Sequence, residues 1–265
     1  MKKDFPIGIF DSGVGGLTIA RAVVDLLPSE SLIYFGDTVH LPYGDKSLQA
    51  IEGYVKRIAD FLLARGVKLI LIACNSASAV HEKLQDYLQD RVLLVNVVNP
   101  MVEFLSTRYH GNNVGLIGTK LTIDSEIYSH GLRRYNTTIT LKALATPLLV
   151  PIIEEGFGDH RLMELALGEY LSHPALQHIC ALVLGCTHYP IVKHKIEHFY
   201  GGKVEVLDAS GITAAEVKKT LEEYNLLSVG AAHHEFYLSD LTSNFVQKAR
   251  TFFGENISIE KMDLF

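Results

Sequence analysis

Long apolar runs, a concentrated basic patch and paired cysteine spacings are all missing from this sequence, and each absence removes a class of function. No run approaches the roughly 18 apolar residues that a membrane-spanning helix needs. The basic opening Met1-Lys2-Lys3 is followed only by the short apolar stretch Ile7 to Phe10, which is too brief for a signal peptide. Lysine and arginine are scattered and the formal net charge is −6, so a phosphate-binding face for nucleic acid is not expected. Only three cysteines occur, Cys74, Cys180 and Cys186, in a chain of 265 residues. That number is odd, and a chain of this size needs no disulfide staples, so reduced thiols in a cytoplasmic setting are expected. Neither GxGxxG nor GxxxxGK[ST] is present, which counts against a nucleotide cofactor.

What is there reads as an α/β protein. Hydrophobic residues make up 48% and charged residues 20%, an ordinary balance for a globular enzyme. Short β-branched runs alternate with amphipathic stretches. The predicted strands are Ile7–Phe10, Leu32–Phe35, Lys68–Ala73, Val92–Val98, Val114–Gly118, Ile139–Ala145, Ile179–Gly185 and Val204–Leu207. Several are apolar almost throughout, as strands covered on both faces must be, so a mostly parallel, doubly wound sheet follows. Leu48, Ile51, Val55, Ile58, Ala59 and Leu62 recur at helical steps within Ser47–Arg65, and Gly66 stands where a C-terminal cap is expected. Val80, Leu84 and Leu88 form a similar stripe after Cys74.

A repeat is visible at the strand ends. A strand closes at Asp11-Ser12, and 63 positions later another closes at Cys74. In the second half one closes at Gly118-Thr119, and 67 positions later another closes at Cys186. Two pseudo-symmetric, doubly wound α/β domains are therefore expected, each presenting one cysteine to an active site in the cleft between them. Asn99-Pro100 and Ala209-Ser210-Gly211 are the expected crossovers. They give a discontinuous first domain, residues 1–98 with 210–265, and a second, residues 99–209.

Ligands of open α/β sheets bind beyond the carboxyl ends of the strands, so the site is sought there. Those ends carry Asp11-Ser12-Gly13, Gly36-Asp37-Thr38, Pro42-Tyr43-Gly44, Cys74-Asn75-Ser76, Gly118-Thr119 with Thr122, and Cys186-Thr187-His188. They are small, hydroxylated or amide-bearing, which suits a small polar ligand. Asp11 is either a helix cap or a site carboxylate, and it stands several residues early for a cap. Cys180, inside an apolar strand, reads as a small buried hydrophobe. Cys74 and Cys186 lie beside polar residues, where a helix starting just after each would favour thiolate. His188 is a general acid, a partner of the thiol or a turn residue. Glu154, with Glu155, is either a solvated helix face or part of a loop near the cleft. The pair His233-His234 reads as surface. Cys186 with His188 falls short of the ligands zinc requires, so no metal is expected.

Two thiols on opposite faces of an α-carbon can move a proton in either direction, which is the task of a racemase. DSGVGGL (Asp11–Leu17), YFGDT (Tyr34–Thr38), PYG (Pro42–Gly44), ACNSAS (Ala73–Ser78), VPIIEEG (Val150–Gly156) and LGCTHYP (Leu184–Pro190) resemble the signature blocks of glutamate racemases. The resemblance implies interconversion of L- and D-glutamate for peptidoglycan synthesis, with no pyridoxal phosphate, metal or nucleotide, in a cytoplasmic homodimer. It makes Cys74 and Cys186 the acid/base thiols, assisted by Asp11, Glu154 and His188. It draws substrate contacts from Asp11, Ser12, Tyr43, Gly44, Asn75, Ser76, Thr119, Thr122, Thr187 and His188. Ser76 stands where threonine is usual, and Asn99 where glutamate more often precedes the proline. Rival readings are a racemase of another acidic amino acid such as aspartate, a non-catalytic small-ligand binding protein, and a thiol hydrolase built on Cys186 and His188.

Overall fold

The computed structural model describes residues 2–135, 138–254 and 257–265, so the basic opening is described only from Lys2. The chain divides into two compact units, Met1–Val97 with Ser210–Phe265, and Val98–Ala209.

The first unit holds a six-stranded sheet. In chain order its strands are β1 (Ile7–Asp11), β2 (Leu32–Gly36), β3 (Leu69–Ile72) and β4 (Leu93–Asn96), then β9 (His234–Leu238) and β10 (Ile259–Lys261). Their spatial order is β10-β9-β2-β1-β3-β4, and every pairing is parallel. The second unit holds β5 (Asn113–Gly118), β6 (Thr140–Ala145), β7 (Ala181–Gly185) and β8 (Glu205–Leu207), in the order β6-β5-β7-β8 and again parallel. This order repeats β2-β1-β3-β4 of the first unit. β1, β2, β3 and β7 are buried at every position, as strands covered by helices on both faces must be. The doubly wound α/β architecture expected from the sequence is present.

The helix Leu48–Ala64 buries Ile51, Val55, Ile58, Ala59 and Leu62, and the Ser47 hydroxyl caps it by accepting from the Ala50 N–H at 3.2 Å. Leu48, counted on the apolar stripe, is exposed instead. Gly66 ends the helix at φ +73°, a left-handed conformation that favours glycine.

Four sequence expectations need correction. The strand expected to run to Val98 stops at Asn96, and Val98 opens the helix Val98–Arg108. Pro100 is accommodated there because the first turn has no intrahelical use for its missing N–H. Cys180 lies just ahead of β7 and is half-buried, with its N–H donating to the Asn113 carbonyl and its carbonyl accepting from Glu205 N–H. His234 opens strand β9 rather than lying on a simple surface loop; its ring packs edge-on to Phe236 and Phe253, and burial lowers its pKa. Of the two readings of Glu154 the helix holds and the loop does not, but its side chain, at the end of the helix Leu149–Glu154, is largely buried rather than solvated.

Candidate active site

Strand order decides where the chemistry sits. In each sheet the chain turns to opposite sides after the central pair, β1 with β3 and β5 with β7, which makes these pairs the topological switch points. Phe10 pairs with Ile72, so Asp11 and Cys74 emerge from neighbouring strand ends. Gly118 pairs with Gly185, so Thr119 and Cys186 emerge together in the same way.

In the first unit Cys74 is 5% exposed and caps the short helix Asn75–Ser78. Its Sγ accepts from the Ala77 N–H at 3.5 Å and lies 3.7 Å from the Ser12 hydroxyl. Toward Ser12 the thiol is the donor, whereas the Ala77 N–H donates to sulfur and favours negative charge on it. Asp11 is fully buried, and one carboxylate oxygen accepts from the Gly16 N–H at 2.8 Å. That approach requires glycine: a Cβ on Gly16 would lie 2.6 Å from the Asp11 Cβ and 3.0 Å from the Ala73 Cβ. Asp11 is thus held by backbone five residues on. Gly16 itself occupies the cap position of the helix Leu17–Leu26. Tyr34 donates to the Gly13 carbonyl at 2.7 Å, and Tyr43 donates to Asp37 Oδ2 at 2.6 Å. Burial pushes both phenols well above their ordinary pKa; nearby carboxylate charge and the Cys74 thiol add to the shift. Ser12, Asn75, Ser76 and Gly44 are buried around this strand-end cluster.

In the second unit no helix starts directly after Cys186. Thr187 and His188 intervene before a single tight turn, Tyr189–Val192, and a histidine takes over the supporting role. His188 Nδ1 lies 3.7 Å from Cys186 Sγ, and its Nε2 is bonded to Glu154 Oε1. Cys186 and His188 are buried, and the Glu154 side chain is 14% exposed. Burial alone would lower the imidazolium pKa, but the bonds to Cys186 and Glu154 outweigh it and raise His188 to about 10. Thr119 caps the helix Lys120–Asp124, accepting from the Thr122 N–H at 3.3 Å, with the two hydroxyls 3.0 Å apart.

The first-unit cluster therefore gathers Asp11, Ser12, Tyr43, Gly44, Cys74, Asn75 and Ser76, and the second-unit cluster gathers Thr119, Thr122, Glu154, Cys186, Thr187 and His188. Sequence reasoning passed over Tyr128 and Tyr189, whose phenols are raised by burial and then by Cys186. Tyr189 is further fixed at 2.7 Å from the Thr146 hydroxyl. The signal for Tyr189 was its place in LGCTHYP, directly after His188. It also passed over Asp37, although that residue was noted at the end of β2.

Among the described residues, no group of three or more His, Cys, Asp or Glu side chains is placed to hold a metal ion, and no helix is long and apolar enough to cross a membrane. A family model described as Asp/Glu/Hydantoin racemase matches residues 17–217. The chain belongs to this family. Within the Asp/Glu/hydantoin racemases, it is 39% identical over 254 residues to the glutamate racemase of Chlorobaculum parvum, covering 95% of this chain and 93% of that one. The structure of glutamate racemase from Francisella tularensis in complex with D-glutamate superimposes with a TM-score of 0.92 at 34% identity, covering 99% of this chain and 98% of that one. Glutamate racemase from Thermus thermophilus, solved with beta-chloro-D-alanine, gives 0.85 at 37% identity, covering 100% and 99%.

For this racemase-family chain the histidine relay sets a pH dependence. His188 has a folded-state pKa of about 10, above the ordinary value of about 6.5. A raised pKa means that the stability it contributes is complete below about 6.5 and is lost as pH rises through about 10. Glu154→Gln keeps the size but removes the charge that holds the imidazolium. The variant is expected to lose this contribution at lower pH than the wild type, read from urea midpoints across that range. Superimposable profiles would show that Glu154 does not hold the proton on His188.

Proposed function

We propose that the chain is a glutamate racemase that interconverts L- and D-glutamate with two thiols and no electron-sink cofactor. The observation that carries this reading is the matched placement of Cys74 and Cys186 at equivalent switch points of two sheets with the same strand order. Relatives named glutamate racemase over nearly the full length support glutamate as the substrate.

One thiolate takes the α-proton, breaking the C–H bond and leaving its electron pair on the α-carbon. The other group, a thiol at that moment, gives its proton to the opposite face. One proton is taken and one returned, and the thiol and thiolate have exchanged places. By resemblance Cys74 serves the proton of D-glutamate and Cys186 that of L-glutamate. Asp11 assists the first, and His188 with Glu154 assists the second. The carbanion-like transition state needs electrostatic stabilisation. Ser12, Tyr43-Gly44, Asn75-Ser76, Thr119, Thr122 and Thr187-His188 supply hydroxyl, amide and backbone donors for the substrate's carboxylates. On this reading D-glutamate goes to peptidoglycan synthesis, the working form is a homodimer, and a reducing cytoplasm keeps the cysteines as thiols.

The test is D-glutamate with metal-free protein in deuterated water, followed by chiral analysis and α-proton NMR, with D-aspartate alongside. L-glutamate carrying deuterium at the α-carbon, without added cofactor, is the expected result. Folded, reduced protein that yields neither L-glutamate nor exchange would reject the reading, and preferential turnover of D-aspartate would reassign the substrate.

A further inference from the structure

Asp37 lies fully buried just past the end of β2, and its carboxylate is met by three side chains from two distant parts of the chain. Tyr43 donates at 2.6 Å, the Ser239 hydroxyl donates to Oδ1 at 3.0 Å, and His40 Nδ1 lies 2.9 Å from both oxygens. A buried carboxylate is stable only when so bonded. Ser239 also accepts from the Val39 N–H at 2.9 Å, so one hydroxyl holds both the carboxylate and the loop backbone. Beside it the Thr38 hydroxyl donates to the Asp240 carbonyl at 2.7 Å and accepts from the Asp240 N–H at 2.8 Å. β9 is already paired with β2 along its whole length, from His234 to Leu238. These additional bonds therefore secure the loop rather than the sheet.

A second anchor grips the same loop. The His40 ring stacks on Tyr54 at 3.9 Å between centroids, and Phe265 packs edge-on against it at 4.4 Å. Phe265 also meets Tyr54 edge-on at 5.8 Å, with the Arg57 guanidinium 5.8 Å from its ring centre. The loop so held, from Asp37 to Gly44, carries the Tyr43-Gly44 turn that the proposed function gives to the substrate. Tyr43 is also close enough to Cys74 and Asp11 to feel their charge.

We propose that Ser239 and Phe265 are positioning residues for substrate binding: acting through Asp37 and His40, they fix the Tyr43-Gly44 turn beside Cys74. This inference rests on the racemase reading above.

The test uses the full chain with Ser239→Ala, Ser239→Thr and Phe265→Leu, measured by steady-state kinetics on D-glutamate and by hydrogen–deuterium exchange. Ser239→Ala and Phe265→Leu are expected to raise KM about tenfold with kcat within about twofold, the pattern of lost positioning for binding. Exchange across residues 38–46 should quicken about tenfold while other segments keep wild-type rates. Ser239→Thr, which keeps the hydroxyl, should restore both. Unchanged KM and unchanged exchange in that loop would overturn the proposal, as would a uniform rise in exchange along the chain, which marks general destabilisation. Wild-type protein without turnover would instead fail the racemase reading, and the exchange data would still test the anchoring of the loop.

Discussion

Cys74→Ser and Cys186→Ser should each lower racemisation by about a thousandfold or more, within the range that a positioned proton-transfer group contributes. Serine is the informative replacement because it leaves the surroundings almost intact. At Cys74 the oxygen can still accept from the Ala77 N–H, and serine is itself a favoured helix cap. At Cys186 a hydroxyl can still meet His188. What serine cannot supply is an anion at working pH, since its hydroxyl is a far weaker acid than a thiol. The two variants should also differ in kind. On the two-thiol reading, with Cys74 replaced, Cys186 would still remove and return the proton of L-glutamate on its own face. That variant should wash solvent deuterium into L-glutamate without inverting it, and Cys186→Ser should do the same for D-glutamate. Proton NMR on each enantiomer separately reads both outcomes. Wild-type racemisation by either variant would sink the two-thiol mechanism.

The distance in sequence between cooperating residues governed how much of this was legible. The central strands were readable because burial on both faces leaves continuous apolar runs, as in Leu69–Ile72 and Ala181–Gly185. β9 was not. His-Glu-Phe-Tyr-Leu begins with polar residues, and Glu235 is tied outward to Arg65 at 2.8 Å, so the strand lacks that signature. β10 is three residues long, too short for any period. Within the site, Cys186 and His188 were legible as neighbours two residues apart. Glu154 could be joined to them only through family resemblance, because 34 positions separate it from His188. No local pattern linked Asp37 to Ser239, 202 positions away, because their contact exists only once β9 has paired with β2. The supporting turns also had to be seen. A helix directly after each thiol was a natural expectation from symmetry, yet the two thiols have different neighbours: Cys74 caps a short helix, and Cys186 faces the His188 ring.

Lys68→Met should cost about 3–5 kcal/mol of stability, the usual price of leaving one member of a buried ion pair alone. Lys68 opens the run into β3, and its side chain is fully buried. Its Nζ lies 2.5 Å from Glu30 Oε2 and donates to the Leu226 carbonyl at 2.8 Å and to the Lys3 carbonyl. Glu30 in turn accepts from the Ser228 N–H at 2.7 Å. One ammonium thus ties three stretches of chain to the start of β3, at the opposite end of that strand from Cys74, just as Glu30 and Asp37 flank opposite ends of β2. Methionine matches the length of the stem but abandons a buried carboxylate and two carbonyl acceptors. The melting temperature should fall by about 10 °C, given the few degrees per kcal/mol expected at this size. Adding Glu30→Gln to Lys68→Met removes the stranded charge and should recover part of the loss, a coupling that a double-mutant cycle isolates. Catalytic constants at a temperature where both proteins are folded should stay near wild type, since neither residue belongs to the thiol clusters. A Lys68→Met protein as stable as the wild type would show that the pair contributes nothing net, and a double variant no better than the single one would show that the carbonyl contacts carry the whole effect.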